Sequence, residues 1–196
     1  MTQIKRKRMP KRIIRQTLSP KEILALGKSY AEDQGITLEV DPVQKEFSAD
    51  PKNRILRVPE GSITANPITL LHGIRHEAIH LKETDHDLMT PLLTESKTMH
   101  YVAQMLEDIR VEAIGERDYD GAQSVNWIDY HRKEHLGWIP EEGERPTIDK
   151  YIFALRHKGL FPNEKLGFEI DRRLVSILRE VRSIPDCERQ VELIRE

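Results

Sequence analysis

The chain has 196 residues, of which 38% are hydrophobic and 33% charged, with a formal net charge of −2 at pH 7. That length suits one domain with a core of useful size, and the composition is that of a water-exposed globular protein rather than a disordered or fibrous one. No run approaches the length of a membrane span, the N-terminus lacks the apolar stretch of a secretory signal, and the single Cys187 excludes an internal disulfide framework or a thiolate-rich zinc site and fits a reducing, cytoplasmic compartment.

Charge is unevenly placed. Lys5, Arg6, Lys7, Arg8, Lys11, Arg12 and Arg15 put seven cations into residues 1–17, with no acid among them. The expected organisation is a basic arm over 1–17 and a single domain over 18–196. Residues 5–15 could touch nucleic acid or an acidic partner, or form a solvated tail.

Ser19-Pro20-Lys21-Glu22 places a capping serine, a first-turn proline and a glutamate three positions after the cap. It predicts a helix of about fifteen residues, stopped by Gly35. Ile36–Val40 alternates as a strand does, and Asn53–Pro59 reads as a second strand. Ala49–Asn53 reads as a turn between them. Pro67 opens a helix running to about residue 82, with Leu71, Ile74, Ala78 and Leu81 as its core stripe. The next predicted helix covers about 92–116, with Val102, Met105, Leu106, Ile109 and Ala113 facing the core, and Gly115 and Gly121 marking its end and the following loop. Further helices are expected over 147–157, 171–183 and 188–195, with Pro162 and Pro185 as breaks. The fold class is α+β: a small early sheet, then mostly helices.

The motif with chemical content is His76-Glu77-Ala78-Ile79-His80, an H-E-x-x-H. On a helix, residues four apart lie one above the other, so two imidazoles can face one Zn2+ ion. Glu77 lies beside them as a general base toward a metal-activated water. His72 extends the same row.

A catalytic zinc needs a third protein ligand, and two routes offer one. His86 sits where a long H-E-x-x-H-x-x-G-x-x-H motif has its third histidine, but Glu83 replaces the glycine that would let the chain turn. The other route is Leu106-Glu107-Asp108-Ile109-Arg110-Val111-Glu112-Ala113. With Ile109 facing the core, Asp108 and Glu112 share one flank. The expected ligand is Asp108, with Glu112 receiving an N–H from a ligand histidine. Glu107 is the reserve ligand, otherwise a solvated edge, and His86 the alternative. Tyr101, Tyr119, Tyr130 and His131 are candidate donors to an oxyanion. The inverted pattern His131-Arg132-Lys133-Glu134-His135 is expected to be a solvated charged segment, because Arg132 and Lys133 repel a cation; Trp127 and Trp138 bracket it as anchors.

His76–His80, followed by Thr84-Asp85 and by Leu106–Glu112, resembles the H-E-x-x-H, T-D and L-E-D-x-R-[IV]-E pattern of cobaltochelatase T-subunit-like proteins and related bacterial and phage metallopeptidases. The resemblance covers about residues 55–116. The strands before the motif helix and the helix after it are similar to the layout of zincin metallopeptidases. It implies a zincin-like fold, zinc-dependent hydrolysis of peptide or amide bonds, a protein or peptide substrate, and an AAA+ ATPase or viral assembly partner. The von Willebrand factor A domain usual in that family, with its D-x-S-x-S motif, is not found in this sequence. A catalytically silent scaffold on the same fold is the alternative.

Overall fold

The computed structural model describes residues 18–126, 128, 148–163 and 170–195. The basic arm, the His131–His135 motif with Trp127 and Trp138, and Tyr130 lie outside these residues. The chain divides into two compact units, residues 1–82 with 115–129, and residues 83–114 with 130–196.

The first unit begins with α1, Pro20–Tyr30. Its capping box is complete: Ser19 N donates to Glu22 Oε2 at 2.8 Å, and Glu22 N donates to Ser19 Oγ at 3.4 Å. The helix stops short of Gly35, at Tyr30. Ala31 N donates back to Gly27 O, Glu32 takes φ 52°, and Asp33 Oδ1 accepts Gly35 N at 2.8 Å, so the chain has turned before the glycine is reached.

Three strands follow: β1 (Thr37–Asp41), β2 (Ser48–Asp50) and β3 (Ile55–Pro59), in the order β1-β3-β2. β1 runs parallel to β3, and β2 antiparallel to it. The periodicity missed β2 and read part of it as a turn. The turn lies just beyond, where Asp50 Oδ1 accepts Asn53 N at 3.0 Å and Arg54 takes φ 54°. In the central strand, Leu56 and Val58 are fully buried, while Arg57 reaches across both neighbours, to Glu39 at 2.8 Å and Asp50 at 3.3 Å.

A short helix α2 (Glu60–Ala65) leads into α3 (Pro67–Glu83), the helix that bears the motif. Asn66 Oδ1 accepts from Ile68 N at 2.9 Å and Thr69 N at 3.2 Å, and Pro67 occupies a first-turn position whose missing N–H costs nothing. Leu70, Ile74 and Ala78 join Ile23, Ile36, Leu56 and Val58 in one core cluster. Leu71 and Leu81, expected in the stripe, are only partly buried; Leu70 and Ile79 are buried instead. Gly73 is there because of packing: a Cβ on it would lie 2.5 Å from the Phe47 ring. Gly73→Ala is therefore expected to cost about 1–3 kcal/mol through overpacking. Urea unfolding of the variant checks this, and Phe47→Leu in the same chain should restore part of the loss.

Four carboxyls of this unit sit below their ordinary values. The Ser19 amide lowers Glu22, the Gly35 amide Asp33, and the Gln44 amide Asp41, while the Asn53 side chain lowers Asp50. A folded-state pKa below the unfolded one adds stability that is present at neutral pH and lost as pH falls through the folded value. With these carboxyls, the melting temperature of the metal-free chain should fall below about pH 4, near the unfolded carboxyl values. A melting temperature that rises on acidification would contradict this.

The second unit opens with α4 (His86–Glu95), followed by α5 (Lys97–Asp118), whose last turn belongs to the first unit. One predicted helix over 92–116 is thus two. Asp85 starts the first, accepting from Asp87 N at 3.0 Å and Leu88 N at 3.1 Å, and Ser96 Oγ starts the second, accepting Met99 N at 3.1 Å. The expectation that Gly115 ends the helix is corrected: α5 runs through it to Asp118, and the turn falls at Gly121, with φ 82°. The glycine serves close approach, since a Cβ at 115 would lie 2.7 Å from Ile79 Cδ1.

Residues 122–126 are helical as well. Further helices are α6 (Ile148–Leu160), α7 (Arg172–Val181), capped by Asp171, and α8 (Cys187–Arg195). Met105, Leu106, Ile109, Leu155, Leu160, Phe161, Leu178 and Val181 make one core, and Met89, Leu92, Ala103 and Cys187 a second. The fold is α+β, mostly helical with one small sheet. Among the described residues, no helix is long and apolar enough to cross a membrane.

Candidate functional site

On α3, the four-residue spacing brings His76 and His80 together. Their Nε2 atoms are 3.2 Å apart and their rings meet edge to face, with centroids 4.6 Å apart. His72 continues the row one turn earlier, stacked on His76 at 5.8 Å. His72 and His76 are buried, while His80 and Glu77 remain partly open to solvent. Below them, Arg75 is buried, with a hydrogen bond to Asn126 Oδ1 and another to Ala122 O at 3.5 Å; Asn126 in turn donates to Glu116 Oε1 at 2.9 Å. This network fixes the α3 backbone that carries the imidazoles.

In the second unit, Asp108 and Glu112 share one flank of α5, as the spacing predicts, and both are buried. Arg156 of α6 links them. Its Nη1 donates to Asp108 Oδ2 at 2.6 Å, and its Nη2 donates to Glu112 Oε1. Sequence reasoning missed Arg156. It lies 48 residues from Asp108, and no local pattern marks an arginine that belongs to a carboxylate pair on another helix.

Glu107, the reserve ligand, is not the solvated edge that was the alternative for it, and it pairs with its neighbour Arg110. It is 2% exposed. Oε2 accepts Arg110 Nε at 2.8 Å, and Oε1 accepts Arg110 Nη2 at 2.6 Å and Thr84 Oγ1 at 2.5 Å. Arg110 is fully buried and also donates to Glu83 O at 2.8 Å. Burial alone pulls its pKa down, but its bonds to Glu107 outweigh that and raise it, so the guanidinium stays charged where it is buried. Asp85 closes the same corner, its carbonyl accepting from Cys187 Sγ at 3.8 Å. Burial pushes the Cys187 thiol up, which keeps it protonated. The Thr84-Asp85 and Glu107–Arg110 motif residues thus hold a corner of the second unit together, and both Glu107 oxygens are committed there.

His86 is the first residue of α4, a new helix started by Asp85. Tyr119 donates its hydroxyl to Tyr30 O at 2.6 Å in the first unit. Tyr101 lies on α5 beside Gln104, Met105 and Asp108. Among the described residues, those suited to hold a metal ion are His72, His76 and His80 in the first unit and Asp108 and Glu112 in the second.

No family model, no curated protein and no solved structure matches the chain. The likeness to cobaltochelatase T-subunit-like proteins therefore rests on the motif residues alone.

Proposed function

We propose that the protein is a zincin-like, zinc-dependent hydrolase of peptide or amide bonds, with the ion held by His76, His80 and Asp108. The observation that carries this reading is the 3.2 Å between the two Nε2 atoms on α3. Two nitrogens bound tetrahedrally to zinc at about 2.0–2.1 Å stand about 3.3–3.4 Å apart. The same separation also suits an N–H···N bond between neutral imidazoles, so metal content decides between them.

When bound, zinc would acidify its water and polarise the scissile carbonyl. Glu77 takes the proton from the attacking water and returns it to the leaving amine. Arg156 holds Asp108 by Oδ2 and bonds Glu112 as well, so its one positive charge is shared between the two carboxylates. We place the protein inside the cell, with a protein or peptide substrate and an AAA+ ATPase as partner.

Elemental analysis of the purified chain tests the reading. About one zinc per wild-type chain is expected, with loss in His76→Ala and Asp108→Ala and retention in His86→Ala and Glu107→Gln. A wild-type chain without stoichiometric metal refutes it. The second reading, a silent scaffold acting with an ATPase, a viral assembly or nucleic acid through residues 5–15, is favoured by one observation. Arg156 already bonds both Asp108 and Glu112. Bound zinc with no turnover of any protein substrate would select it.

A further inference from the structure

Within the second unit, α8 turns one face inward. Cys187, Gln190, Val191 and Ile194 follow the i, i+3, i+4, i+7 spacing of an apolar stripe, while Glu188, Arg189, Glu192 and Arg195 stay exposed. Cys187, Val191 and Ile194 pack with Met89, Leu92 and Leu93 of α4 and with Met99 and Ala103 of α5. Gln190 breaks the stripe. It is fully buried, and neither its Oε1 nor its Nε2 has a hydrogen-bond partner among the described residues. A carboxamide taken out of water with no bond made in return works against the docking of the helix that carries it.

The polar ties described for this end of the chain are long. Cys187 Sγ, a weak donor, reaches Asp85 O at 3.8 Å. Arg110 Nη1 reaches Pro185 O, two residues before α8, at 3.5 Å, and the exposed Arg189 reaches Glu180 at 3.5 Å. Nine residues are also too few for a helix to persist in water by itself.

We infer that α8 is a releasable strap: it lifts from α4 and α5 while the rest of the second unit stays folded, and so bares Cys187 and the apolar surface of Met89, Leu92, Leu93 and Met99. Local opening of this kind falls to the elements with the weakest contacts. Gln190 sets how often it happens, because its carboxamide regains hydrogen bonds, to water, when the strap is off. Release also removes the Pro185 and Cys187 contacts from the corner where Glu107 pairs with Arg110. The inference does not depend on a bound metal.

Cys187 is the one cysteine of the chain, so its reaction with the chromogenic disulfide dithiobis(nitrobenzoate) reads the opening directly. In the full chain without denaturant, Cys187 should react more slowly than the thiol of a short peptide, yet at least about tenfold faster than global unfolding allows. Its rate should rise with urea less steeply than the unfolding constant does. Gln190→Met, close in volume and with no amide to satisfy, should slow labelling about ten- to a hundredfold. Gln190→Leu should act in the same direction and guards against a packing fault peculiar to methionine. Labelling that tracks global unfolding across the urea range, or that runs at the free-thiol rate, overturns the strap. Wild-type rates in both Gln190 variants overturn it as well.

Discussion

Glu77→Gln is expected to lower hydrolysis of an unstructured protein substrate by about 10²–10⁴-fold while zinc content stays at the wild-type level. The substitution keeps size and hydrogen-bonding capacity but removes the group able to accept a proton. His76 and His80 are untouched, and their Nε2 atoms remain on the same face of α3. Loss of activity with loss of metal would mean that Glu77 serves the fold rather than proton transfer. Undiminished activity would remove Glu77 from the reaction, and with it the reading of H-E-x-x-H as a catalytic motif.

The largest stability effect is expected at Glu107. Glu107→Ala leaves the Arg110 guanidinium, fully buried, without its anion. Breaking one partner of a buried ion pair costs about 3–5 kcal/mol. For a chain of this length, that corresponds to a melting temperature lower by roughly 6–20 °C. Thr84 loses its acceptor at the same time. Glu107→Gln keeps an acceptor oxygen and should lose much less. Scanning calorimetry on both variants checks the ranking, and zinc content in the glutamine variant separates an anchor from a ligand. An alanine variant that melts with wild type would show that Arg110 finds other partners at no cost.

What could be read from the chain follows the range of the interactions involved. The Ser19–Glu22 capping box and the opening of α3 at Pro67 are local, and they form as their residue types dictate. The α5 face through Met105, Leu106 and Ile109 was equally legible, because a helical stripe must be buried somewhere. β2 was not. Three residues, Ser48-Ala49-Asp50, have no periodicity of their own and become a strand only by pairing with Ile55–Arg57. Gly115 read as a stop because glycine usually marks a helix end, whereas here its missing side chain admits Ile79. At the candidate site, the H-E-x-x-H imidazoles and the Asp108–Glu112 flank were visible as spacings. Their environment was not. Arg156 reaches Asp108 across 48 residues and Thr84 reaches Glu107 across 23, and although Glu107 and Arg110 are only three apart, a run of charges does not say which members are taken indoors.

The small sheet carries a lesson about solubility. Its outer strands hold Glu39 and Asp41 on one side and Asp50 on the other, and Arg57 in the middle draws Glu39 and Asp50 toward itself. A second copy offering its own β1 or β2 for edge-to-edge pairing would set carboxylates against carboxylates. β2, only three residues long, gives a would-be fibril almost no template. The acids that line this sheet, two of them tied to Arg57, discourage it from growing.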